Sequence, residues 1–503
     1  MYIGYDVKKG VKYAKLCTSR REGGKVVSTQ VNLGRVVDEQ RGVYMNRKRG
    51  MFTYDLATNT YGPAPADAAP PAPRANARES LILDFGDAFF LDSYARAKGL
   101  APAVDALGYG NGDSVWALLV YYALCRSSNA NAADWLEGNY ARLLYPRAHL
   151  AGQRISDLLA AVGDEASWRA FFARYAALLR RREGEDVIID STGLPNSIRF
   201  PLTAVSNHNG QISEAVRLIY AVQRGTNLPL YLRYVPGNVV DVSTLTRTVR
   251  ELREIGIDTR FALLDAGYLT DTNARELVEA GVSFVTRLRG NRTLYKDIVA
   301  GHLSGLRRGE NLVECNGRYA YIEHVDCELV AGHAAHAYLC QDLATQQAQA
   351  SCLFARASRD RMSPAEVHRE MESLGVFVLV ATRRVTKDEI IPLYRTRQEV
   401  EQVFDVCKND TNMLPLRVQS EETFRGHLLM TFAATVLRKM LQEDLKGSGT
   451  CPENALMALR NHKCKVYGDH VLTAEPAKKA NDLYRRFGLK VKDRYEIAAH
   501  GTG

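Results

Sequence analysis

The sequence lacks any apolar run approaching the roughly 20 residues of a membrane-spanning helix, so no transmembrane helix is predicted. Its first residues, MYIGYDVKKG, lack the basic-then-apolar pattern of a secretory signal, and a cytoplasmic location is the expectation. The nine cysteines include no CxxC pair and read as free, mostly buried thiols of a reducing compartment. Four of them, Cys315, Cys327, Cys340 and Cys352, recur every 12 or 13 residues, with His324, His333 and His336 between them. The close ligand spacing of structural zinc sites is missing, so the rhythm reads as cysteines on successive strands of a small antiparallel sheet. There are no internal repeats, and no helix-turn-helix signature is clear enough to name.

What is present is a long, ordinary globular composition. A chain of 503 residues exceeds one compact core and predicts two to four folded units. Hydrophobic residues make up 46% and charged residues 24%. The net charge of +9 is compatible with a polyanionic partner, although alone it is weak evidence.

The texture changes along the chain. Residues 1–61 alternate apolar and polar residues between glycine breaks and read as a small β-rich unit. Lys8, Lys9, Arg20, Arg21, Arg47, Lys48 and Arg49 make it basic. Residues 62–78 are rich in proline and alanine and read as an extended linker. Residues 79–182 show helical periodicity and end in Arg180, Arg181 and Arg182. The glycine-rich GYGNGD at 108–113 reads as a turn before a helix, since the full nucleotide-loop fingerprint is missing.

From 183 to 290 the order is three strands, helix, strand, helix, strand, carried by DVIIDST, EAVRLIYAVQ, PLYLRYVPG, a helix from about Asp241, FALLDAGY, TDTNARELVEAG and SFVTRLRG. Residues 291–375 carry shorter strand-like runs, including YAYIEHVDCELV, HAAHAYLC and SCLFARAS, with a helix near 363–374. Residues 376–445 resume with the strand GVFVLVATR and a long helical pattern from Lys387. The remainder, 446–503, is basic and weakly patterned.

Asp190 ends the buried run VIID, and Asp265 ends the buried run FALLD. In α/β sheets chemistry gathers at strand carboxyl ends, and two carboxylates there can share a cation. Either aspartate alone reads rather as the cap of a turn or of the following helix. Asp186 begins its strand, at the wrong end for the site. Tyr394, Arg397, Glu401 and Lys408 lie at offsets of 0, 3, 7 and 14. At about 100° per residue they fall within an arc of about 60° on one helix face. The competing reading is a solvated charged stripe.

The spacing Tyr-x2-Arg-x3-Glu-x6-Lys resembles the signature of the insertion-sequence-four group of bacterial DDE transposases. The DST at Asp190, the Asp-Ala-Gly-Tyr at 265–268, and the stretches LGRVVDEQRGVY and GMFTYD share the resemblance. It implies an α/β, ribonuclease H-like catalytic core, with Asp190 on the first strand, Asp265 after the fourth and Glu401 on a later helix. The core would be interrupted by a β-rich insertion at 291–375. The resemblance further implies two Mg²⁺ ions per active site, with Mn²⁺ able to substitute, held by Asp190, Asp265 and Glu401. Water would free a 3′-OH at the element end, which would then attack target DNA. Arg397 and Lys408 would hold phosphates, and Tyr394 would contact the terminal nucleotides. The implied partners are double-stranded DNA, terminal inverted repeats and target DNA, bound by a homodimer in the bacterial cytoplasm at the nucleoid. Two other readings stay open: a ribonuclease H-like nuclease without strand transfer, and a catalytically silent DNA-binding regulator.

Overall fold

The computed structural model describes residues 1–8, 11–22, 25–46, 48–65, 68, 81–179, 186–196, 202–208, 211–238, 244–330, 332–411, 413, 414, 416, 418, 420–467 and 469–497. Most of the expected linker and the Arg180–Arg182 run lie outside them, as do Lys9, Arg47 and the start of the helix near Asp241. The chain divides into two compact units, Met1–Leu81 and Ile82–Gly503.

The first unit is a six-stranded antiparallel sheet in sequence order: β1 (Tyr2–Lys8), β2 (Val11–Glu22), β3 (Lys25–Asp38), β4 (Val43–Asn46), β5 (Gly50–Asp55) and β6 (Thr60–Pro63). Alternation turns Ala14, Leu16, Leu33, Tyr44, Phe52 and Tyr54 to a small shared core. The β2–β3 register shifts beside Gly34, whose φ is +101°. A Cβ there would sit 2.2 Å from the Met45 carbonyl oxygen, so only glycine fits this bulge.

After the boundary, which falls within β7 (Leu81–Asp84), come helices α1 (Gly86–Ala97), α2 (Ala101–Asp105), α3 (Gly112–Leu124), α4 (Ala132–Gly138), α5 (Ala141–Leu144), α6 (Gly152–Val162) and α7 (Glu165–Leu179). The GYGNGD segment is indeed the entry to a helix, where the Asn111 side chain caps α3 by accepting from Ser114 N–H. Residues Ser114 to Ala123 of α3 are all buried, as their unbroken apolar run requires.

Next come β8 (Asp186–Pro195), β9 (Ala204–His208), β10 (Gln211–Gln223), β11 (Pro229–Pro236), α8 (Leu245–Glu254), β12 (Phe261–Leu264), α9 (Asp271–Glu279) and β13 (Ser283–Arg287). Residues 291–375 hold α10 (Thr293–Leu306), β14 (Leu312–Cys315), β15 (Arg318–Val330), β16 (His333–Asp342), α11 (Leu343–Asp360) and α12 (Pro364–Ser373). One mixed sheet runs in the order β11-β10-β8-β12-β13-β17-β16-β15-β14, with β17 at Val376–Ala381 and β9 paired to β10. β8, β10 and β11 are antiparallel neighbours, whereas β12 runs parallel to both β8 and β13. The α/β architecture with a mixed sheet is therefore established. All four residues of β12 are buried, which explains its unalternating apolar run.

Two expectations for residues 291–375 are corrected. The strands there do not form a separate small sheet; they extend the central one beyond β17. SCLFARAS is helical, lying within α11. Asp342 caps that helix by accepting from Ala344 N–H, and the helix-forming LATQQAQ turn carries the chain through the ambiguous apolar run. Cys315, Cys327 and Cys340 thus fall on successive strands, but Cys352 falls on a helix.

After β17 come α13 (Lys387–Arg395), α14 (Gln398–Asp405), a π-helical turn (Val406–Asp410) and α15 (Glu421–Asp444). The C-terminal stretch is more ordered than its weak pattern implied. It forms α16 (Pro452–Arg460), β18 (Lys463–Val466), β19 (His470–Thr473), α17 (Lys478–Arg486) and β20 (Arg494–Glu496). These short strands join β7 in a four-stranded sheet, a long-range pairing that local periodicity does not reveal.

Helix α15 is buried almost all round between Phe424 and Leu441. Its charged Arg438 is held by Asp410, Glu453 and the Ala123 carbonyl. α15 crosses α6 at glycine contacts: a Cβ on Gly426 would lie 1.8 Å from the Leu159 carbonyl oxygen, and one on Gly163 would lie 1.9 Å from that of Glu422. Gly426→Ala is expected to destabilise the second unit by about 3 kcal/mol, because backbone and not a flexible side chain must give way. Unchanged thermal unfolding of that variant would contradict this packing.

Candidate active site

The parallel β8–β12 register ends at the pair Ile189 and Leu264, so the next residues along each strand are Asp190 and Asp265. The two aspartates are therefore lateral neighbours, separated by about one strand spacing of roughly 4.8 Å in the backbone. Asp190 is not at a strand end, however. Its strand continues to Pro195, and Asp190 itself pairs with Tyr220 of β10. Asp186 begins β8 and is paired with Arg224 at 2.7 Å, away from Asp190.

The helix that brings the third carboxylate is broken where the sequence predicted continuity. Pro392 lies inside α13, and around Thr396 the chain tightens into bonds of the i to i+3 type. Arg397 N–H donates to the Tyr394 carbonyl at 3.2 Å, and Glu399 N–H to that of Thr396 at 2.9 Å. Arg397 then caps α14, and Lys408 lies in the following π-helical turn. A uniform 100° step per residue therefore does not describe the stretch from Tyr394 to Lys408. Packing sets the placement instead. Val400, Val403 and Phe404 face the core, which turns Glu401 outward.

The Phe404 ring meets the Tyr220 ring edge-on at 5.5 Å between centroids, and Tyr220 Oη lies 3.2 Å from Cys407 Sγ. Burial pushes the Cys407 thiol up to about 11, so it stays a neutral partner. Tyr220 is the register partner of Asp190 and so ties α14 to the strand bearing the first carboxylate.

The Arg397 guanidinium lies among all three carboxylates. Its Nη1 is 2.8 Å from Asp190 Oδ2 and 3.3 Å from Asp265 Oδ1, and its Nη2 is 4.0 Å from Glu401 Oε1. Asp190 Oδ1 also accepts from Ser191 N–H at 2.8 Å, and Asp265 Oδ2 accepts from Gly267 N–H at 3.3 Å. The turn-capping reading of Asp265 is thus compatible with its place in the site. Burial works against the charge of Arg397, but Asp190 and Asp265, with help from Tyr394 and Glu401, outweigh it and raise its pKa.

Lys408 reaches β8 two residues past Asp190, donating from Nζ to Thr192 Oγ1 at 2.5 Å. Burial lowers its pKa, against the pull of Cys407 and Asp405. Tyr394 lies under the Arg397 guanidinium, 5.9 Å from its ring centroid, and burial raises the phenol's pKa. All six predicted site residues are thus in one neighbourhood. Sequence reasoning took Phe404 only as a packing residue and Thr192 only as part of the DST motif, and it missed Tyr220; the three hold the site together. Tyr220, with its cross-strand register to Asp190, carried no local signal.

The donor chemistry fits a divalent metal of the hard class. Three carboxylates around one guanidinium leave a formal surplus of two negative charges, and each carboxylate offers oxygen only. Among the described residues no helix is long and apolar enough to cross a membrane.

Residues 181–437 match the protein family described as Transposase DDE domain. No curated protein matches the chain. Among solved structures, the chain is similar to a piggyBac transposase synaptic complex with hairpin DNA, at 11% identity and a TM-score of 0.41, covering 75% of this chain and 79% of that one.

Proposed function

The chain belongs to the transposase DDE-domain family, and from that membership we propose that it catalyses cut-and-paste transposition at Asp190, Asp265 and Glu401. The observation that carries this reading is the convergence of those three carboxylates, from β8, the end of β12 and α14, on a single cation, the Arg397 guanidinium. The sheet order β11-β10-β8-β12-β13, three antiparallel strands followed by two parallel ones, supports a ribonuclease H-like core in segments 183–290 and 376–445. We assign the chain to the Tyr-Arg-Glu-Lys subgroup on its four-residue signature.

Two Mg²⁺ ions, with Mn²⁺ able to substitute, supply when bound the activation of the attacking oxygen and the stabilisation of the leaving one. Asp190, Asp265 and Glu401 would hold them. Arg397 neutralises part of the carboxylate charge and so lets an anionic phosphate approach. Lys408, fixed against Thr192, presents an ammonium beside Asp190 for the phosphate next to the cleaved bond. The Tyr394 ring offers a face or a hydroxyl to the terminal nucleotide. The basic β-unit and the helical region at 79–182 are the candidate readers of terminal inverted repeats. Pairing of two ends calls for a homodimer, working in the bacterial cytoplasm at the nucleoid.

The test is direct. Purified protein with Mg²⁺ and duplex DNA carrying the inverted repeats that flank its gene should nick the ends and join them to target DNA. Cleavage without joining would favour a simple nuclease, and no cleavage with any divalent metal would favour the silent regulator. In the same system Lys408→Ala is expected to lower the slope of binding against salt by about one, as loss of one phosphate contact requires. An unchanged slope would remove Lys408 from the DNA interface.

A further inference from the structure

Among the described residues, one group of His, Cys, Asp and Glu side chains has its ligand atoms within 4.8 Å of one another: His324, Asp326 and His336. The β15–β16 hairpin builds it. Asp326 pairs directly with His336, and His324 precedes Asp326 by two residues, so all three project from one face. His324 Nε2 lies 3.1 Å from His336 Nδ1, His336 Nδ1 lies 2.9 Å from Asp326 Oδ1, and His324 Nε2 lies 3.4 Å from the same oxygen. β15 stands five places from β8 in the sheet, roughly 24 Å at ordinary strand spacing, so these residues are not part of the Asp190 site.

We propose that His324, Asp326 and His336 form a Zn²⁺ site that clamps the β15–β16 hairpin. A tetrahedral ion with arms of 2.0–2.1 Å spaces its ligand atoms by about 3.3 Å, and the three observed separations bracket that value. Hydrogen bonding alone accounts for the triangle less well. If both ring nitrogens donate to the Asp326 oxygen, two N–H groups face each other across 3.1 Å. A cation at the centre satisfies all three atoms.

Two imidazoles and one carboxylate also suit zinc better than magnesium, which prefers oxygen throughout. A metal takes imidazole in its neutral form, and His324 offers Nε2 to the centre of the trio. Its ring packs against Tyr338 at 5.2 Å between centroids, and Tyr338 Oη is fixed by donating to the Val385 carbonyl at 2.6 Å. This holds His324 in orientation. The Asp326 side chain is 80% exposed, so water can complete the fourth position.

The full chain, stripped with chelator and dialysed against ZnCl₂, should retain one molar equivalent of zinc more than His336→Ala or Asp326→Asn. Asp190→Asn with Asp265→Asn serves as background, so that the carboxylate site contributes nothing to the count. Asp326→Asn changes an exposed side chain and keeps the comparison valid should His336→Ala fail to fold. Co²⁺ in place of zinc should give visible absorption of a four-coordinate ion in the chain with this trio intact, lost in both variants. Zinc should also raise the Tm of that chain and not of Asp326→Asn. Equal zinc content across these proteins, or no cobalt absorption with the trio intact, would overturn the proposal. Neither result depends on whether the chain transposes DNA.

Discussion

Glu401→Gln is expected to lower Mg²⁺-dependent strand cleavage by about 10³-fold or more while leaving the fold unchanged, since removing one group from a cooperating set costs nearly as much as removing all of them. The substitution keeps the shape of the side chain and removes only its charge. Structure predicts the asymmetry between activity and stability. The Glu401 side chain is 61% exposed, and among the described residues its one ion-pair contact is the 4.0 Å approach to Arg397. Its neighbours Val400, Val403 and Phe404 carry the packing of α14 and are untouched. Thermal unfolding in the absence of metal should therefore match wild type, while cleavage of end-bearing DNA all but vanishes. A variant that cleaves as well as wild type would remove Glu401 from the site, whatever the family resemblance implies.

Much of this site was legible locally. VIID and FALLD announce buried strands with a carboxylate at the point where the apolar run stops, and both aspartates lie side by side in the folded chain. Spacing also placed Arg397 and Glu401 together, because the two lie four residues apart on α14 and its N-terminal cap. The placing of Tyr394 and Lys408 did not depend on an even 100° step, because the tight turn at Thr396 and the π-helical turn at Lys408 both depart from it. It depended on the apolar residues of α14, which fix its rotation against Tyr220 whatever happens at its ends.

What stayed hidden required long-range pairing. The continuation of β8 beyond Asp190 follows from its antiparallel partner β10, which no residue near Asp190 encodes. The order of the C-terminal stretch follows from β7, nearly 400 positions earlier in the chain. His324 and His336 were visible as residues, but their interval matches no zinc motif. Only the hairpin register brings them to one face with Asp326.

The partners of Arg397 were legible only in part. The i, i+4 spacing offers Glu401, and the resemblance implies a phosphate, yet the guanidinium also reaches Asp190 and Asp265 of its own chain. Arg397→Met is accordingly expected to destabilise the metal-free protein by about 2 kcal/mol. Breaking a buried pair costs more, and partial exposure of Asp265 and Glu401 discounts it. Methionine keeps most of the side chain's volume, so the loss reports charge and not packing.

Changing pH is the weaker probe. The Arg397 pKa is raised, so its contribution is complete below the ordinary guanidinium range and fades only as pH climbs past the raised value. Mg²⁺ is the better probe, since it replaces the missing positive charge among Asp190, Asp265 and Glu401. The Tm of Arg397→Met should rise with Mg²⁺ more than that of wild type, because the variant's carboxylates repel one another unless a cation is bound. An unaltered Tm without metal, or an equal response of both proteins to Mg²⁺, would mean that Arg397 is not the internal cation of the site.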